Sequence, residues 1–325
     1  MIGSIPSLED IRNARKVISG KAHVTPVITS NFLDTITGAK LYFKCENFQK
    51  GGAFKFRGAC NAIFTLPVSL AQYGVCTHSS GNHAQALALA ARMRGIEAHV
   101  VMPQNSPKVK IDAVKEYGAK ITFCMPTLSE REATLERLMQ QTGAHQIHPY
   151  NDYRIIAGQA TACAELLEYN QTLDYVVCPV GGGGLLGGTI LAAKYGSKKV
   201  KVIGAEPLQA NDAWKSFVSK TFVASINPNT IADGLKTSLG SLTFPIILEG
   251  AHDILTAREE TIVKAMILLW ERVKIVVEPS AVLPLAVILE NPNIFRGKKL
   301  GLILSGGNVD LSALPWIDCQ SFNKR

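Results

Sequence analysis

The stretch Val176–Gly188, VVCPVGGGGLLGG, runs from a β-branched strand through four consecutive glycines into the start of a helix. A glycine loop at that junction bares backbone N–H groups at a helix N-terminus, which makes a cradle for phosphate or another anion. The charge-free window around it, Tyr175 to Ala193, has the length of a membrane span. Six glycines and a proline inside it would make a poor helix, so it reads as a buried strand, a loop and a helix start. A second reading competes for the same loop. Gly182, Gly184 and Gly187 fit G-x-G-x-x-G, and Glu206 ends the next strand roughly 20 residues on, as a nicotinamide-dependent oxidoreductase would want. The residues that follow, AEPLQAND, weaken it by adding a second carboxylate, Asp212, beyond the same strand end.

Outward from this loop the chain alternates short β-branched runs with amphipathic stretches. AKLYFKC precedes a helix at Lys55, GVCTH precedes HAQALALAARMRG, EAHVVMP precedes SPKVKIDAVKEYG, and AKITFCM precedes SEREATLERLMQQTG. VKVIGAE, EETIVKAMILLWERV and KLGLILSGG follow the glycine loop. This alternation predicts an α/β fold with an open, mostly parallel twisted sheet covered by helices on both faces. The compact strand–helix units between Gly74 and Asn151 predict two lobes. Residues 1–73 and 152–325 form a large cofactor-binding domain, residues 74–151 a small mobile substrate-binding domain, and the cleft between them is the default site.

A second stretch raises the chemistry. GGAFKFRGACNA (Gly51–Ala62) sets Lys55 between Phe54 and Phe56. Phe56, Ala59, Cys60 and Ile63 recur at helical intervals, which places Lys55 in the first turn of a buried helix. Most lysines among aromatics simply lay their methylenes over apolar surface. A cation at the positive end of a helix dipole is misplaced, however, and burial adds to the cost, so both effects lower the pKa of the amine. A partly neutral lysine is a base and a nucleophile for carbonyl chemistry.

Three further turns sit at strand ends. HSSGNHAQA (His78–Ala86) offers cap-type residues at a helix start, hence an ordinary N-cap or a second anion site for a carboxylate, with the Ser80 hydroxyl placed for proton transfer. LILSGGNVD (Leu302–Asp310) ends a buried strand in Ser305 and two glycines, hence a tight turn or a close backbone approach to a ligand. Glu206 and Asp212 read as a helix cap with a solvated acid, and two carboxylates alone are a weak metal signal. His83 and His148 lack partners at ligand spacing and read as core or hydrogen-bonding histidines.

Composition narrows the class. The 325 residues are 47% hydrophobic and 18% charged, with a formal charge of +8. The basic residues are scattered without interleaved aromatics, so nucleic acid is excluded as a partner and the charge reads as solvated surface. Seven cysteines (45, 60, 76, 124, 163, 178 and 319) without Cys-x-x-Cys or zinc spacing predict reduced thiols in a cytoplasmic protein. The start lacks an apolar core, so neither a signal peptide nor a membrane anchor is expected.

Taken in order, CENFQKGGAFKFRGACNA, SSGNHAQA, IAGQAT, PVGGGGLLGG, AEPLQAND, TIADGLKT, VEPSA and LSGGNVD closely resemble the serine racemase and serine/threonine dehydratase group of pyridoxal-phosphate enzymes, of the tryptophan synthase β-like fold (type II). The resemblance runs from about Thr25 to Asp310. It implies that Lys55 binds the cofactor aldehyde, with Phe54 beside it. Gly181, Gly182, Gly183 and Gly184 would hold the phosphate, Asn82 the ring hydroxyl and Ser305 the ring nitrogen. Ser79, Ser80, Gly81, Asn82 and His83 would grip the substrate carboxylate, and Ser80 would face the cofactor opposite Lys55. Arg131 matches an arginine near the pocket in the racemase branch. Glu206, the Ala210 carbonyl and Asp212 match a divalent-cation site for Mg, Mn or Ca. Ala53, Ala84, Tyr150 and the EPSAV run depart from commoner residues of the group, and all touch the pocket. The implied activity is removal of water and ammonia from a β-hydroxy amino acid (L-serine, L-threonine or threo-3-hydroxyaspartate), with serine racemisation through Lys55 and Ser80, in a homodimer. A non-catalytic amino-acid sensor is the alternative on the same fold, and the nicotinamide oxidoreductase the alternative outside it.

Overall fold

The computed structural model describes residues 3–106, 108–196 and 199–316. Its strands are β1 (Val27–Ile28), β2 (Lys40–Cys45), β3 (Val75–His78), β4 (Ala98–Pro103), β5 (Lys120–Cys124), β6 (His145–Gln146), β7 (Tyr175–Pro179), β8 (Lys201–Pro207), β9 (Asp253–Ala257) and β10 (Lys299–Leu304). They build two sheets. One has six strands in the order β1-β2-β10-β7-β8-β9, parallel throughout except for the short β1. The other has four parallel strands in the order β5-β4-β3-β6. The chain is therefore the mostly parallel α/β protein that its alternating pattern predicts.

Both faces of the larger sheet are covered. Successive side chains of a strand point to opposite faces, so Val177 enters one core with Phe43, Ile203 and Leu302. Its neighbours Val176 and Cys178 enter the other with Leu186 and Ile303. This double burial is why these strands read as continuous apolar runs. The sequence does not announce every element. The helix Tyr153–Tyr169 is buried on nearly all sides, and it carries no polar stripe to reveal a helical period. The strands β1 and β6 have two residues each, too few for any alternation.

The strands of the four-stranded sheet all fall between residues 75 and 146, but its apolar core reaches further. Phe56, Ala59, Cys60 and Ile63 of the helix Lys55–Phe64 pack there with Leu87, Val100 and Ile155. The lysine-bearing helix thus joins the two halves. Parallel strands send their exits to one edge of a sheet, where ligands of open α/β folds sit. The glycine loop after β7, Glu206 at the end of β8 and Ser305 after β10 share that edge. Six cysteines are buried and unpaired, and Cys319 lies outside the described residues. Among the described residues no helix is long and apolar enough to cross a membrane.

Candidate active site

Lys55 opens its helix as the first residue. Its Nζ donates to the Pro149 carbonyl at 2.8 Å and lies 5.2 Å from the centre of the Phe54 ring and 6.0 Å from that of Tyr150. The aromatic neighbours are therefore Phe54 and Tyr150, because helical geometry turns Phe56 wholly into the core. Burial lowers the Lys55 pKa to about 8, against an opposing pull from the Glu278 carboxylate. The amine is within reach of its neutral form near physiological pH.

The glycine loop lies against the same residues. Gly183 has φ +86°, a backbone state that residues with a Cβ seldom adopt. A Cβ on Gly182 would clash with the Tyr150 ring. Among the described residues, the N–H groups of Gly181, Gly182 and Gly183 donate to no protein acceptor. Three such donors before the helix Gly184–Gly196 form an anion cradle. Glu206 is not offered to any ribose there. It is 1% exposed and turned inward, where it accepts from Ala213 N–H at 2.9 Å and Trp214 N–H at 2.8 Å. The nicotinamide reading of Gly182 fails on this point.

The turn after β3 supplies a second set of donors. The N–H groups of Ser80, Asn82 and His83 likewise meet no protein acceptor among the described residues, at the start of the helix Asn82–Arg94. The Asn82 side chain is tightly held. Its Nδ2 donates to both Glu278 oxygens, at 2.9 and 3.1 Å, and its Oδ1 accepts from Asn308 at 3.0 Å. The His83 ring is buried, with Nε2 3.0 Å from the Ile147 carbonyl, and burial, with the Lys55 charge, lowers its pKa to about 3. Ser305 is buried, and its carbonyl accepts from Phe54 N–H at 2.9 Å, which ties the exit of β10 to the lysine.

Over residues 18–306 the chain matches the family described as pyridoxal-phosphate dependent enzyme. It belongs to that family. Its relatives include the β-hydroxyaspartate dehydratase of Paracoccus denitrificans (strain Pd 1222), 49% identical over 96% of this chain and 99% of that protein. Among solved structures, serine racemase from Dictyostelium discoideum superposes with a TM-score of 0.90 at 48% identity, covering 94% of this chain and 99% of that one. A T.th. threonine deaminase gives a TM-score of 0.90 at 42% identity, covering 95% and 100%.

The residues fit the cofactor of a pyridoxal-phosphate enzyme. Three unengaged N–H groups with no room for a side chain suit a phosphate, and a lysine of lowered pKa suits an aldehyde. Glu206, Ala210 and Asp212, read as a cation site, are all buried. Asp212 is 4% exposed rather than solvated, and among the described residues neither of its carboxylate oxygens has a hydrogen-bond partner. Burial pushes Asp212 up to about 6 and Glu206 up to about 8. Orphaned carboxylate oxygens beside a buried Ala210 make an oxygen-only donor set of the kind that hard divalent cations take. No cluster of three or more His, Cys, Asp or Glu side chains fit for a metal exists among the described residues, so a backbone carbonyl and water would have to complete it.

Arg131 stands apart from the lysine. It lies on the helix Leu128–Thr142, and among the described residues its Nε donates only to the Thr127 carbonyl, at 3.4 Å. Its link to the site is His78, whose imidazole is pushed down by burial and then by the Arg131 charge. Glu278 is the residue that sequence reading passed over. VEPSA marks it, but nothing in that run tells that its carboxylate is buried against Asn82, or that burial raises it to about 7.

Proposed function

We propose that this enzyme is an ammonia-lyase acting on a β-hydroxy amino acid (L-serine, L-threonine or threo-3-hydroxyaspartate), with serine racemase activity. The observation that carries the reading is the setting of Lys55, an amine of lowered pKa flanked by two groups of unengaged backbone donors. The dehydratase, racemase and deaminase relatives support the substrate class. When bound, pyridoxal phosphate supplies an electron sink for the pair left at Cα. Gly181 to Gly184 would hold its phosphate, Asn82 and Phe54 would orient its ring, and Ser305 would face the ring nitrogen. A neutral hydroxyl there would not hold a pyridinium, which would favour loss of the β-hydroxyl or return of a proton to Cα over a long-lived carbanion.

Within the Ser79 to His83 turn, the free N–H groups of Ser80, Asn82 and His83 bind the substrate carboxylate. Lys55 Nζ takes the Cα proton. In elimination the β-hydroxyl leaves with a proton as water, and the enamine released tautomerises and is hydrolysed to a 2-oxo acid and ammonia. In racemisation the Ser80 hydroxyl gives Cα a proton from the opposite face, and the proton on Lys55 balances the loss. Arg131, which lies away from Lys55, would serve a second carboxylate such as that of threo-3-hydroxyaspartate only by turning toward the site. Glu206, the Ala210 carbonyl and Asp212 take Mg, Mn or Ca. Residues 74–151 close as a small domain over 1–73 and 152–325, in a cytoplasmic homodimer.

The test is a panel of the three substrates with keto-acid detection and chiral analysis of the remaining amino acid. We expect keto acid from at least one of them and inversion of serine. A cofactor-loaded protein that releases none and inverts none would leave an amino-acid sensor in its place.

A further inference from the structure

The segment Ile147–Asn151 crosses the site, and one side chain holds its shape. His148 Nδ1 lies 2.8 Å from the backbone N of Asn151 and 3.3 Å from that of Tyr150, as the acceptor of both N–H groups. The three residues of the turn so fixed each meet a different part of the site. The Pro149 carbonyl takes the Lys55 ammonium. The Tyr150 ring packs on Gly182 of the glycine loop, its Cβ and backbone lie against Gly184, and the ring sits edge-on against the His148 ring, with centroids 4.6 Å apart. Asn151 Oδ1 accepts from Leu242 N–H at 2.8 Å, and its Nδ2 donates to Ser241 at 3.1 Å. Just before the turn, the Ile147 carbonyl contacts His83.

We infer that His148 is a positioning residue for Lys55, acting through the turn that it caps with an unprotonated Nδ1. An imidazole that accepts two N–H groups at one nitrogen must carry its proton on the other. The surroundings keep it neutral. Burial lowers its pKa to about 4, the charges of His78 and Lys55 add to that, and Asp152 opposes it. A second-layer imidazole of fixed tautomer therefore sets where the reactive amine rests and how closely Tyr150 closes over the phosphate cradle. The inference rests on Lys55 being the reactive amine of the reading above.

The first measurement needs no variant. In protein labelled with 15N-histidine, the His148 ring, assigned by its loss in His148→Asn, should show a neutral Nε2–H tautomer at pH 7. An Nδ1–H tautomer or an imidazolium would overturn the inference. The second compares His148→Asn, whose amide oxygen falls near the Nδ1 position, with His148→Leu. The Lys55 pKa is read in cofactor-free protein by pH-dependent amine labelling and mass spectrometry. Loss of the Pro149 acceptor disfavours the ammonium, so His148→Leu should lower that pKa by about one unit and weaken pyridoxal-phosphate binding about tenfold. His148→Asn should restore most of both. A leucine variant equal to the unchanged protein, or an asparagine variant no better than leucine, refutes the positioning role. If His148→Leu does not fold, the tautomer decides alone. Should the unchanged protein form no borohydride-reducible adduct at Lys55, the functional reading fails while the tautomer and the lysine pKa still test His148.

Discussion

At the scale of single residues, the site turns on where two protons sit. The Lys55 pKa is lowered to about 8 by burial, so its neutral fraction grows as pH rises through 8. The rate at which cofactor-free protein forms its adduct with pyridoxal phosphate should rise over that range and level off above it. The same shift has a stability sign. Between about 8 and the ordinary lysine value the unfolded chain holds the proton and the folded chain does not, so folded stability should increase with pH across that window. A rate flat from pH 6.5 to 9 would contradict the lowered pKa. Lys55→Ala should abolish the adduct and every turnover. Ser80→Ala should cut racemisation by roughly a hundredfold or more, the worth of a placed acid, yet spare much of the dehydration of L-substrate. Equal loss of both activities would remove Ser80 from the second face. Both positions stand out in the sequence because short motifs, GGAFKF and SSGNH, carry them. Glu278 does not, because its partner lies 196 positions away and only the fold brings them together, whereas His148 is the hydrogen-bonding histidine its sequence reading predicts.

Among elements, the junction that matters joins β2, the Lys55 helix and the helix Tyr153–Tyr169. Arg57, two residues past Lys55 on the far side of the helix, is fully buried. It forks onto Glu46 at 2.7 and 2.8 Å and onto Glu165 at 2.7 and 2.8 Å. Lys44 closes the group by donating to Glu165 at 2.6 Å and to the Thr25 carbonyl at 2.7 Å. Two cations and two carboxylates balance, and nearly every polar atom has a partner. Burial would push Glu46 up, but the Arg57 charge and hydrogen bonds outweigh it and hold that carboxyl below its ordinary value of 4.5. Its contribution is therefore present above that pH and fades as the solution is acidified. Removing one member strands the others, so Arg57→Met should cost about 3–5 kcal/mol in urea unfolding. A loss under 1 kcal/mol would mean that water reaches the cluster. The sequence hides this network because Lys44, Glu46, Arg57 and Glu165 look like surface charges on a strand, a turn and two helices. The periodicity that correctly buries Phe56 and Ala59 carries no information about a guanidinium on the same helix.

For the molecule as a whole, the question is what draws residues 74–151 onto the rest of the chain. Lys110, on the helix Lys108–Glu116, forms an ion pair with Asp233. Asp233 belongs to the turn Asp233–Leu235, which lies directly on the glycine loop. A Cβ at Gly181 would meet Leu235 Cα at 3.1 Å, and Gly234 N–H donates to Ser280 at 3.1 Å, two residues beyond Glu278. One cross-chain pair thus couples the outer segment to the phosphate cradle and to the carboxylate that holds Asn82. Asp233 is half exposed, so the pair is worth at most about 1 kcal/mol and is screened by salt. If closure over the substrate uses it, Asp233→Asn should raise KM by up to about fivefold with kcat nearly unchanged, since the pair touches no reacting atom. Added sodium chloride near 0.5 M should raise KM of the unchanged enzyme in the same way and do little more to the variant. The control is Lys194→Gln, which breaks an exposed pair with Glu249 far from the glycine loop's donors and should leave KM and its salt response as they were. An Asp233→Asn enzyme with unaltered KM and an unaltered salt response would show that apolar packing of the Lys55 helix, and no electrostatic latch, holds the two halves together.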